Sequence, residues 1–275
     1  MGRKIIMKTV LITGVLGGMG KATAQKLLEQ NYNVIGFDVN DSTDLPITYY
    51  KVDLTSEQEI ERAYNDIAKK VSSIYAIIHF AGIYKMDSLV EMEERAFTNI
   101  FDVNVFSIYR TNKVFLPLLK QGSKIIITSS ELAPLDPLPF TGIYAITKST
   151  IEKYAFSLKM ELQLLGVDVS VIRSGAVKTG LLNQSIESMN ALCEKTVLYK
   201  ENTNKFSKIV NSVESKHVSP DKIARTVMKI LNANGKRFVY CINRNFLLIL
   251  LNLMPKRFQL YVIKKLLQRN KKSTS

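Results

Sequence analysis

The stretch Thr13-Gly14-Val15-Leu16-Gly17-Gly18-Met19-Gly20 decides how this chain of 275 residues folds. It follows the apolar run 9–12 and precedes segment 21–30, in which apolar residues recur at helical spacing. We therefore predict a strand, a tight turn and a helix. Glycines let the turn approach a pyrophosphate closely, and the first N–H groups of a helix attract anionic oxygens. Taken alone, the stretch indicates either a dinucleotide site or a plain strand-to-helix connection.

The next predicted strand, 33–37, supports the dinucleotide interpretation. It ends at Asp38, about twenty residues after the turn, where an acidic side chain binds the ribose hydroxyls of a dinucleotide. Position 17 is glycine, so no basic side chain is available there for a 2′-phosphate. The sequence therefore predicts NAD as the cofactor and makes NADP less favoured.

Predicted strands and helices alternate along the rest of the chain. The strands are 47–52, 76–80, 123–128, 168–173 and 237–241, and the helices are 57–70, 97–119, 144–165 and 221–232. This alternation predicts an α/β fold, a Rossmann-type doubly wound parallel sheet, as a single catalytic domain over residues 1–243. Segment 176–218 follows the carboxyl end of a strand, where such sheets bind ligands. We interpret it as a substrate lid in preference to an ordinary helical insertion.

Composition limits the possible partners. The chain has 38 basic and 24 acidic residues, a net charge of +14 that would attract anionic cofactors, lipid surfaces or nucleic acid alike. No known nucleic-acid module accompanies the charge, so we expect no nucleic-acid partner. The two cysteines and two histidines form no ligand pattern, which predicts neither a disulfide framework nor a metal site. The first residues lack the pattern of a signal peptide, and we expect a cytoplasmic protein.

Polar residues near the predicted carboxyl edge of the sheet are candidates for chemistry. Tyr144 and Lys148 lie one helical turn apart, and an ammonium together with a positive nicotinamide would lower the pKa of a neighbouring phenol. Such pairs also occur by chance on helices. Ser129 and Ser130 add hydroxyls at the same edge. Asn104 interrupts an apolar helix, as either a hydrogen-bonded core amide or a fixed water-binding group.

These residues, in this order, resemble the short-chain dehydrogenase/reductase family over nearly the whole chain, and in particular its hydroxysteroid and retinol dehydrogenase members. The matching motifs are Thr-Gly-x-x-x-Gly-x-Gly at 13–20, Asp38, Asp53-Leu54-Thr55, Ala81-Gly82, Asn104, Ser129-Ser130 and Tyr144-x-x-x-Lys148. The resemblance implies that Tyr144 is the acid/base and that Ser130 orients the reacting oxygen. It implies further that Lys148 binds the nicotinamide ribose and lowers the pKa of Tyr144, while Asn104 holds a relay water.

The resemblance also implies a set of cofactor contacts and some departures from the family pattern. The implied contacts are Gly14, Leu16, Gly18, Met19, Gly20, Asp38, Asp53, Leu54, Ala81, Gly82, Tyr144, Lys148, Val177 and Thr179. Where the family has Asn-Asn before Ala-Gly, this chain has His79-Phe80, and we interpret His79 as structural. Ser174-Gly175 replaces the usual Pro-Gly, and the loop from Ser130 to Tyr144 is one residue longer than usual.

The function implied is hydride transfer between NAD and a secondary alcohol or ketone. The expected substrate is apolar, such as a hydroxysteroid or bile acid. A 3-oxoacyl-type reductase and a catalytically silent NAD-binding regulator are the alternatives. The family usually assembles through its long helices, so we expect a homodimer or homotetramer through 97–119 and 144–165, whose apolar content exceeds the needs of one buried face.

A C-terminal helical extension, residues 244–275, has no place in the alternating pattern. Its apolar run 246–251 is far shorter than the roughly twenty residues that span a bilayer. After Pro255, apolar residues recur at helical spacing among lysines and arginines. This pattern is typical of a helix lying on an anionic membrane, here the inner face, and an apolar substrate would favour that placement. Packing against a partner subunit or over the substrate pocket fits the pattern as well.

Overall fold

The sheet is the element on which the other parts of the protein are built. The computed structural model describes residues 7–41, 43–214, 216–233 and 237–268. Within them a seven-stranded parallel sheet runs in the order β3-β2-β1-β4-β5-β6-β7. The strands are β1 (Thr9–Thr13), β2 (Asn33–Asp38), β3 (Thr48–Lys51), β4 (Ile74–His79), β5 (Leu119–Ser130), β6 (Asp168–Ser174) and β7 (Val239–Ile242). The predicted Rossmann-type α/β fold is confirmed.

Helices cover both faces of the sheet. They are α1 (Gly18–Glu29), α2 (Glu57–Lys70), α3 (Glu94–Phe101), α4 (Ser107–Phe115), α5 (Gly142–Leu162), α6 (Gly180–Lys195), α7 (Lys200–Glu214), α8 (Pro220–Asn232), α9 (Phe246–Leu253) and α10 (Lys256–Leu267). The central strands are apolar throughout because α2, α4 and α5 pack on one face while α1 and α8 pack on the other. This double layer fixes the carboxyl edge of the sheet, where the loops converge.

The predicted continuous helix 97–119 is wrong. The helical segment begins earlier, at Glu94, and a π-helix, Asp102–Phe106, interrupts it between α3 and α4. A 3₁₀ turn, Leu116–Leu118, then leads directly into β5, which begins four residues before its predicted start. A π-turn holds one more residue than an α-turn, so the apolar periodicity shifts in the middle of the segment without any break that a sequence pattern reveals. Asn104 lies in this π-helix.

The two segments predicted outside the alternating pattern are helical. Segment 176–218 forms α6 and α7, with an isolated parallel bridge between Val177 and Val218 at its base. The extension after β7 forms α9 and α10. Among the described residues, no helix is long and apolar enough to cross a membrane. Arg269, Lys271 and Lys272, which contribute to the basic character of the extension, lie outside the described residues, and the domain boundary after residue 243 stays a prediction.

Candidate active site

The glycine turn after β1 packs too closely for side chains at two positions. Gly14 has φ +68°, and a Cβ on it would lie 2.6 Å from the backbone nitrogen of Ala81. A Cβ on Gly20 would lie 2.2 Å from the carbonyl oxygen of Gly14. Gly20 therefore holds α1 against the turn, and Gly14 holds the turn against the end of β4. These contacts explain why the motif needs glycine at both positions.

The start of α1 suits an anion. Its N-terminal residue is preceded by Gly17, and no described side chain caps this end of the helix. The first N–H groups of a helix lack partners within it, so they are available to a pyrophosphate. Gly18 lies beneath the side chain of Thr179, whose Cγ2 is 2.8 Å from the position of a Cβ on Gly18. The turn thus touches both the dinucleotide groove and the loop that follows β6.

Asp38 closes the outer end of this groove. Its Oδ2 accepts a hydrogen bond from the Leu16 N–H at 3.0 Å, and its Oδ1 accepts from the Val39 N–H and the Asn40 amide, both at 2.9 Å. The carboxylate is therefore tied to the glycine turn that it faces. Asp53 lines the same groove, and Glu59 Oε2 accepts from the Asp53 N–H at 2.7 Å, which ties Asp53 to α2. Ser56 caps α2 by accepting from the Glu59 N–H.

The groove has a volume of about 340 Å³. Seven of the predicted cofactor residues line it: Gly14, Leu16, Asp38, Asp53, Leu54, Ala81 and Gly82. The glycine turn permits a close approach, the start of α1 has no side-chain cap, and β2 ends in a carboxylate. These three features fit a dinucleotide in chemistry and in placement. Met19, Tyr144, Val177 and Thr179 line the adjoining cavity instead, and Gly20 lies under the turn. Their individual contacts to a cofactor stay predictions.

Ser130, Tyr144 and Lys148 meet at the carboxyl edge of the sheet. Ser130 ends β5 and is hydrogen-bonded to the buried Tyr144 side chain. Lys148 follows one turn later on α5, with its Nζ 5.5 Å from the centre of the Tyr144 ring. The Lys148 Nζ also donates to the Thr128 carbonyl oxygen at 3.3 Å. The hydroxyl and the phenol line the apolar cavity, and the ammonium lies 3.8 Å from the position of a Cβ on Gly82, which lines the groove.

Burial shifts the pKa values of Tyr144 and Lys148. It raises the pKa of Tyr144 well above its ordinary value, and the hydrogen bond from Ser130 acts in the opposite direction. Burial lowers the pKa of Lys148 to about 8. The lowering of the Tyr144 pKa by Lys148, which the family resemblance implies, stays a prediction. In this site the phenol is neutral and can donate its proton.

The Asn104 side chain links three parts of the chain by hydrogen bonds. Its Oδ1 accepts from the Ile83 N–H at 2.8 Å, and its Nδ2 donates to the Ile83 carbonyl oxygen at 3.0 Å and to Thr147 Oγ1 at 3.2 Å. The side chain joins the π-helix to the segment after β4 and to α5. Of its two predicted roles, the geometry shows the hydrogen-bonded core amide, while the relay water stays a prediction.

His79 belongs to a buried network below the site. Its Nε2 lies 2.9 Å from Asn112 Oδ1, and Asn112 Nδ2 donates to the Tyr154 hydroxyl at 3.2 Å. Because the amide oxygen can only accept, His79 donates through Nε2. Burial lowers the pKa of His79 to about 4, so the ring is neutral. This agrees with a structural role, in which β4 is tied to α4 and α5.

The adjoining cavity, of about 140 Å³, is mainly apolar. Tyr144 and Ser130 lie at one end, and apolar side chains from four other parts of the chain form its walls: Met86, Leu138, Phe206 and Leu248. Sequence reasoning missed Met86 and Glu131 as lining residues and did not place Leu248, although the apolar run 246–251 marked its segment. The apolar walls suit a hydrocarbon substrate.

An ion pair and several hydrogen bonds hold the predicted lid against residues 84–92. Lys195, at the end of α6, is paired with the buried carboxylate of Asp87 at 2.6 Å. Glu91 accepts hydrogen bonds from the Thr196 hydroxyl and from the N–H groups of Val197 and Leu198, at 2.7 to 3.0 Å. Segment 176–218 therefore has a defined position beside the pocket that it lines, and its action as a lid stays a prediction. A small apolar cluster lies beneath it, formed by Met86, Met189, Leu192, Phe206, Val210 and Leu267.

The C-terminal extension closes the same pocket. Glu131 Oε2 accepts from the Asn245 N–H at 2.5 Å, and Asn252 Oδ1 accepts from the Asp136 N–H at 2.6 Å. Lys256 is paired with Asp136, and Leu267 lies in the apolar cluster of the lid. Of the three placements open from the sequence, the structure shows the extension over the substrate pocket.

Comparisons with known proteins agree with this site. Residues 8–190 match the family model of the short chain dehydrogenases. The chain is 30% identical over 183 residues to the uncharacterized oxidoreductase YbbO of Escherichia coli (strain K12), covering 64% of this chain and 68% of that protein. It is 26% identical over 238 residues to estradiol 17-beta-dehydrogenase 2 of Rattus norvegicus, covering 81% of this chain and 60% of that protein.

A solved structure shares the fold. The structure of ElxO with NADP bound matches with a TM-score of 0.70 at 22% identity, over 86% of this chain and 97% of that chain. The family match spans the glycine turn, the end of β5 and the start of α5, which together hold the residues described above. The chain therefore belongs to the short-chain dehydrogenase/reductase family, whose members are oxidoreductases acting on CH–OH groups.

Proposed function

We propose that this protein interconverts an apolar secondary alcohol and its ketone with NAD as the hydride carrier. One observation carries the proposal. Ser130 and Tyr144 line a pocket with apolar walls, while Lys148, one turn after Tyr144, has its Nζ 3.8 Å from the position of a Cβ on Gly82, a residue of the groove that fits a dinucleotide. A hydroxysteroid or bile acid matches such walls, and the resemblance to estradiol 17-beta-dehydrogenase 2 supports this substrate class.

The side chains supply the proton and the orientation. In reduction, the neutral phenol of Tyr144 donates its proton to the carbonyl oxygen while the Ser130 hydroxyl donates a hydrogen bond to the same oxygen. The ammonium of Lys148 stabilises the phenolate that forms, and in oxidation the proton moves in the reverse direction. A bound nicotinamide supplies or accepts the hydride. The apolar walls exclude water from the reacting oxygen.

A substrate screen tests the reaction. We expect the full-length protein to change the absorbance of the nicotinamide when supplied with NAD and hydroxysteroids or bile acids, and to respond less to short alcohols that cannot fill the apolar pocket. A preference for 3-oxoacyl thioesters with a reduced cofactor would select the alternative reductase. Cofactor binding without turnover of any alcohol or ketone would select the silent regulator.

Assembly through α4 and α5 is part of the proposal. Four large apolar side chains on or beside these helices are about half exposed: Phe106, Tyr109, Phe156 and Met160. Burying them in a homodimer or homotetramer would remove this surface from water. We expect light scattering at micromolar concentration to give a multiple of the 31.1 kDa chain mass, and Met160→Glu to shift the protein towards the monomer. A monomeric parent protein would contradict this assembly.

The basic charge and the exposed apolar side chains of the C-terminal extension support peripheral contact between a cytoplasmic protein and an anionic membrane. Residues 244–275 contain eight lysines and arginines and no acidic residue. On α9, four side chains at helical spacing point away from the pocket and are exposed: Phe246, Leu247, Leu250 and Leu253. An apolar face with basic neighbours binds the headgroup region of anionic lipid, where each basic residue contributes about 1 kcal/mol.

Vesicle binding tests the membrane contact. Leu247 and Leu253 are 69% and 77% exposed, so replacing both by Gln leaves the pocket-facing side of α9 intact. We expect the parent to co-sediment with anionic vesicles at low salt and less so at high salt, and the double variant to bind much more weakly. Leu164→Gln, at an exposed leucine outside the extension, serves as the control and should bind as the parent does. Equal binding by the double variant would overturn the contact.

A further inference from the structure

Glu131 places a carboxylate in the otherwise apolar substrate pocket. The residue follows Ser130 directly, and its backbone N–H donates to the Ser174 carbonyl oxygen at 2.9 Å, which fixes its position at the end of the sheet. Its side chain lines the same cavity as Ser130 and Tyr144. It is the one acidic residue among the described residues that line this cavity.

The carboxylate has more acceptor capacity than the protein uses. Oε2 accepts from the Asn245 N–H, whereas among the described residues no donor is hydrogen-bonded to Oε1. Oε1 lies 2.8 Å from the position that a Cβ on Gly175 would occupy, and the backbone carbonyl group of Asn243 lies there as well, so Oε1 faces a position where no side chain covers it. Arg244 contributes favourable charge but forms no ion pair with Glu131 in the described part of the chain. An ionised carboxylate can accept about four hydrogen bonds, so this one can accept from a ligand.

We propose that Glu131 binds a cationic or hydrogen-bond-donating substituent of the substrate, a primary amine near the reacting carbon above all. The inference rests on the proposed hydride transfer and selects, among apolar alcohols and ketones, those that carry an amino group, in preference to the hydroxysteroids and bile acids named above. The amine nitrogen would donate to Oε1, the reacting oxygen would lie between Ser130 and Tyr144, and the hydrocarbon would lie against the walls around Phe206 and Leu248.

The energetics favour such a ligand. A half-buried carboxylate with few donors is costly once a ligand covers it, and the partial burial raises the pKa of Glu131 above its ordinary value. An ammonium supplies the missing charge and donors at once, and such charge-assisted hydrogen bonds are the strong ones in proteins. A plain hydrocarbon would leave Oε1 covered without a partner. The pocket is therefore expected to discriminate between these two kinds of ligand.

A different role for Glu131 must be separated from this one. By accepting from the Asn245 N–H, the side chain also fixes the start of α9, and a variant could act by loosening the extension. Glu131→Gln keeps an amide oxygen that can accept from Asn245 and removes only the charge. Asp136→Asn is the matched control, because it weakens the ion pair of Asp136 with Lys256 and leaves the pocket lining unchanged.

Selectivity in the oxidation direction tests the proposal. Vicinal amino alcohols and plain secondary alcohols of equal chain length are compared by the ratio of their kcat/KM values. We expect the parent to favour the amino alcohol, Glu131→Gln to reduce the ratio on the order of 10- to 100-fold, and Asp136→Asn to keep it. A parent without preference, or a ratio unchanged in Glu131→Gln, would overturn the proposal. Equal loss in both variants would assign Glu131 to the extension alone.

A binding measurement separates this site from the proposed reaction. Calorimetry of octylamine and octanol with the full-length protein, supplied with NAD, needs no turnover. Tighter binding of the amine that Glu131→Gln abolishes would support the site even when no alcohol is oxidised, in which case the proposed reaction alone fails. Oxidation of plain alcohols together with equal binding of amine and alcohol would overturn the site and leave the proposed reaction standing.

Discussion

Tyr144→Phe is expected to lower kcat by about 10²–10⁴-fold, the usual contribution of a general acid or base. The phenol is buried and hydrogen-bonded to Ser130, so its removal takes away the proton donor with little change in shape. Dinucleotide binding should stay close to that of the parent, because Tyr144 lines the substrate cavity and not the groove. Steady-state kinetics and a fluorescence titration with NADH measure the two quantities separately.

Tyr154→Phe is the control for this prediction. Tyr154 lies on the same helix, and its hydroxyl accepts from Asn112 in the buried network of His79. Removing that hydroxyl should change stability slightly and reduce kcat far less than Tyr144→Phe does. If Tyr144→Phe turned over substrate as the parent does, Tyr144 would not be the acid.

Asp38→Arg is expected to shift the ratio of kcat/KM for NAD to that for NADP towards NADP on the order of 10²-fold or more, since one charged contact is lost and another gained. The carboxylate lines the groove and faces the glycine turn through its hydrogen bond from the Leu16 N–H. It would accept from ribose hydroxyls and repel a 2′-phosphate. The ElxO structure, which shares the fold, has NADP bound, so the proposed preference of this chain for NAD depends on the carboxylate at the end of β2.

Asp38→Asn separates charge from shape. The amide oxygen can still accept from the Leu16 N–H and hold the turn, while the repulsion of a 2′-phosphate is removed. We expect an intermediate shift of the ratio and a melting temperature near that of the parent. If the parent protein already prefers NADP, the predicted role of Asp38 is wrong.

The parts of the site that sequence could predict are those with local causes. The glycine turn could be predicted because Gly14 and Gly20 are required by contacts within a few residues and by one neighbouring strand. The role of Asp38 could be predicted because it ends a strand that the sequence reveals by its apolar residues and by its place in the alternation of strands and helices. The pairing of Tyr144 with Lys148 follows from one helical turn, and the family resemblance gave the pair its meaning.

The parts that sequence could not predict depend on residues far apart in the chain or on competing energies. Glu131 meets Asn245, and Asp87 meets Lys195, across more than one hundred positions with no local signal. The π-helix around Asn104 shifts the helical register without a marker residue. The upward shift of the Tyr144 pKa comes from burial of the ring, against the hydrogen bond from Ser130, and the depth of that ring depends on the whole fold.

The pinning of the lid has a kinetic consequence. Asp87 is 1% exposed, so a lid that lifted away alone would remove the close Lys195 partner and leave this buried carboxylate with the Ser88 N–H and the more distant ammonium of Lys85, at 3.8 Å. Segment 84–92 is therefore expected to travel with the lid. That segment begins at Tyr84, whose ring centre is 4.3 Å from that of Tyr144. Each opening would therefore move the Tyr84 ring away from the catalytic phenol. If the segment opens as predicted, departure of the product and the next proton transfer would depend on the same motion, and the rate of reclosure would set an upper limit on turnover.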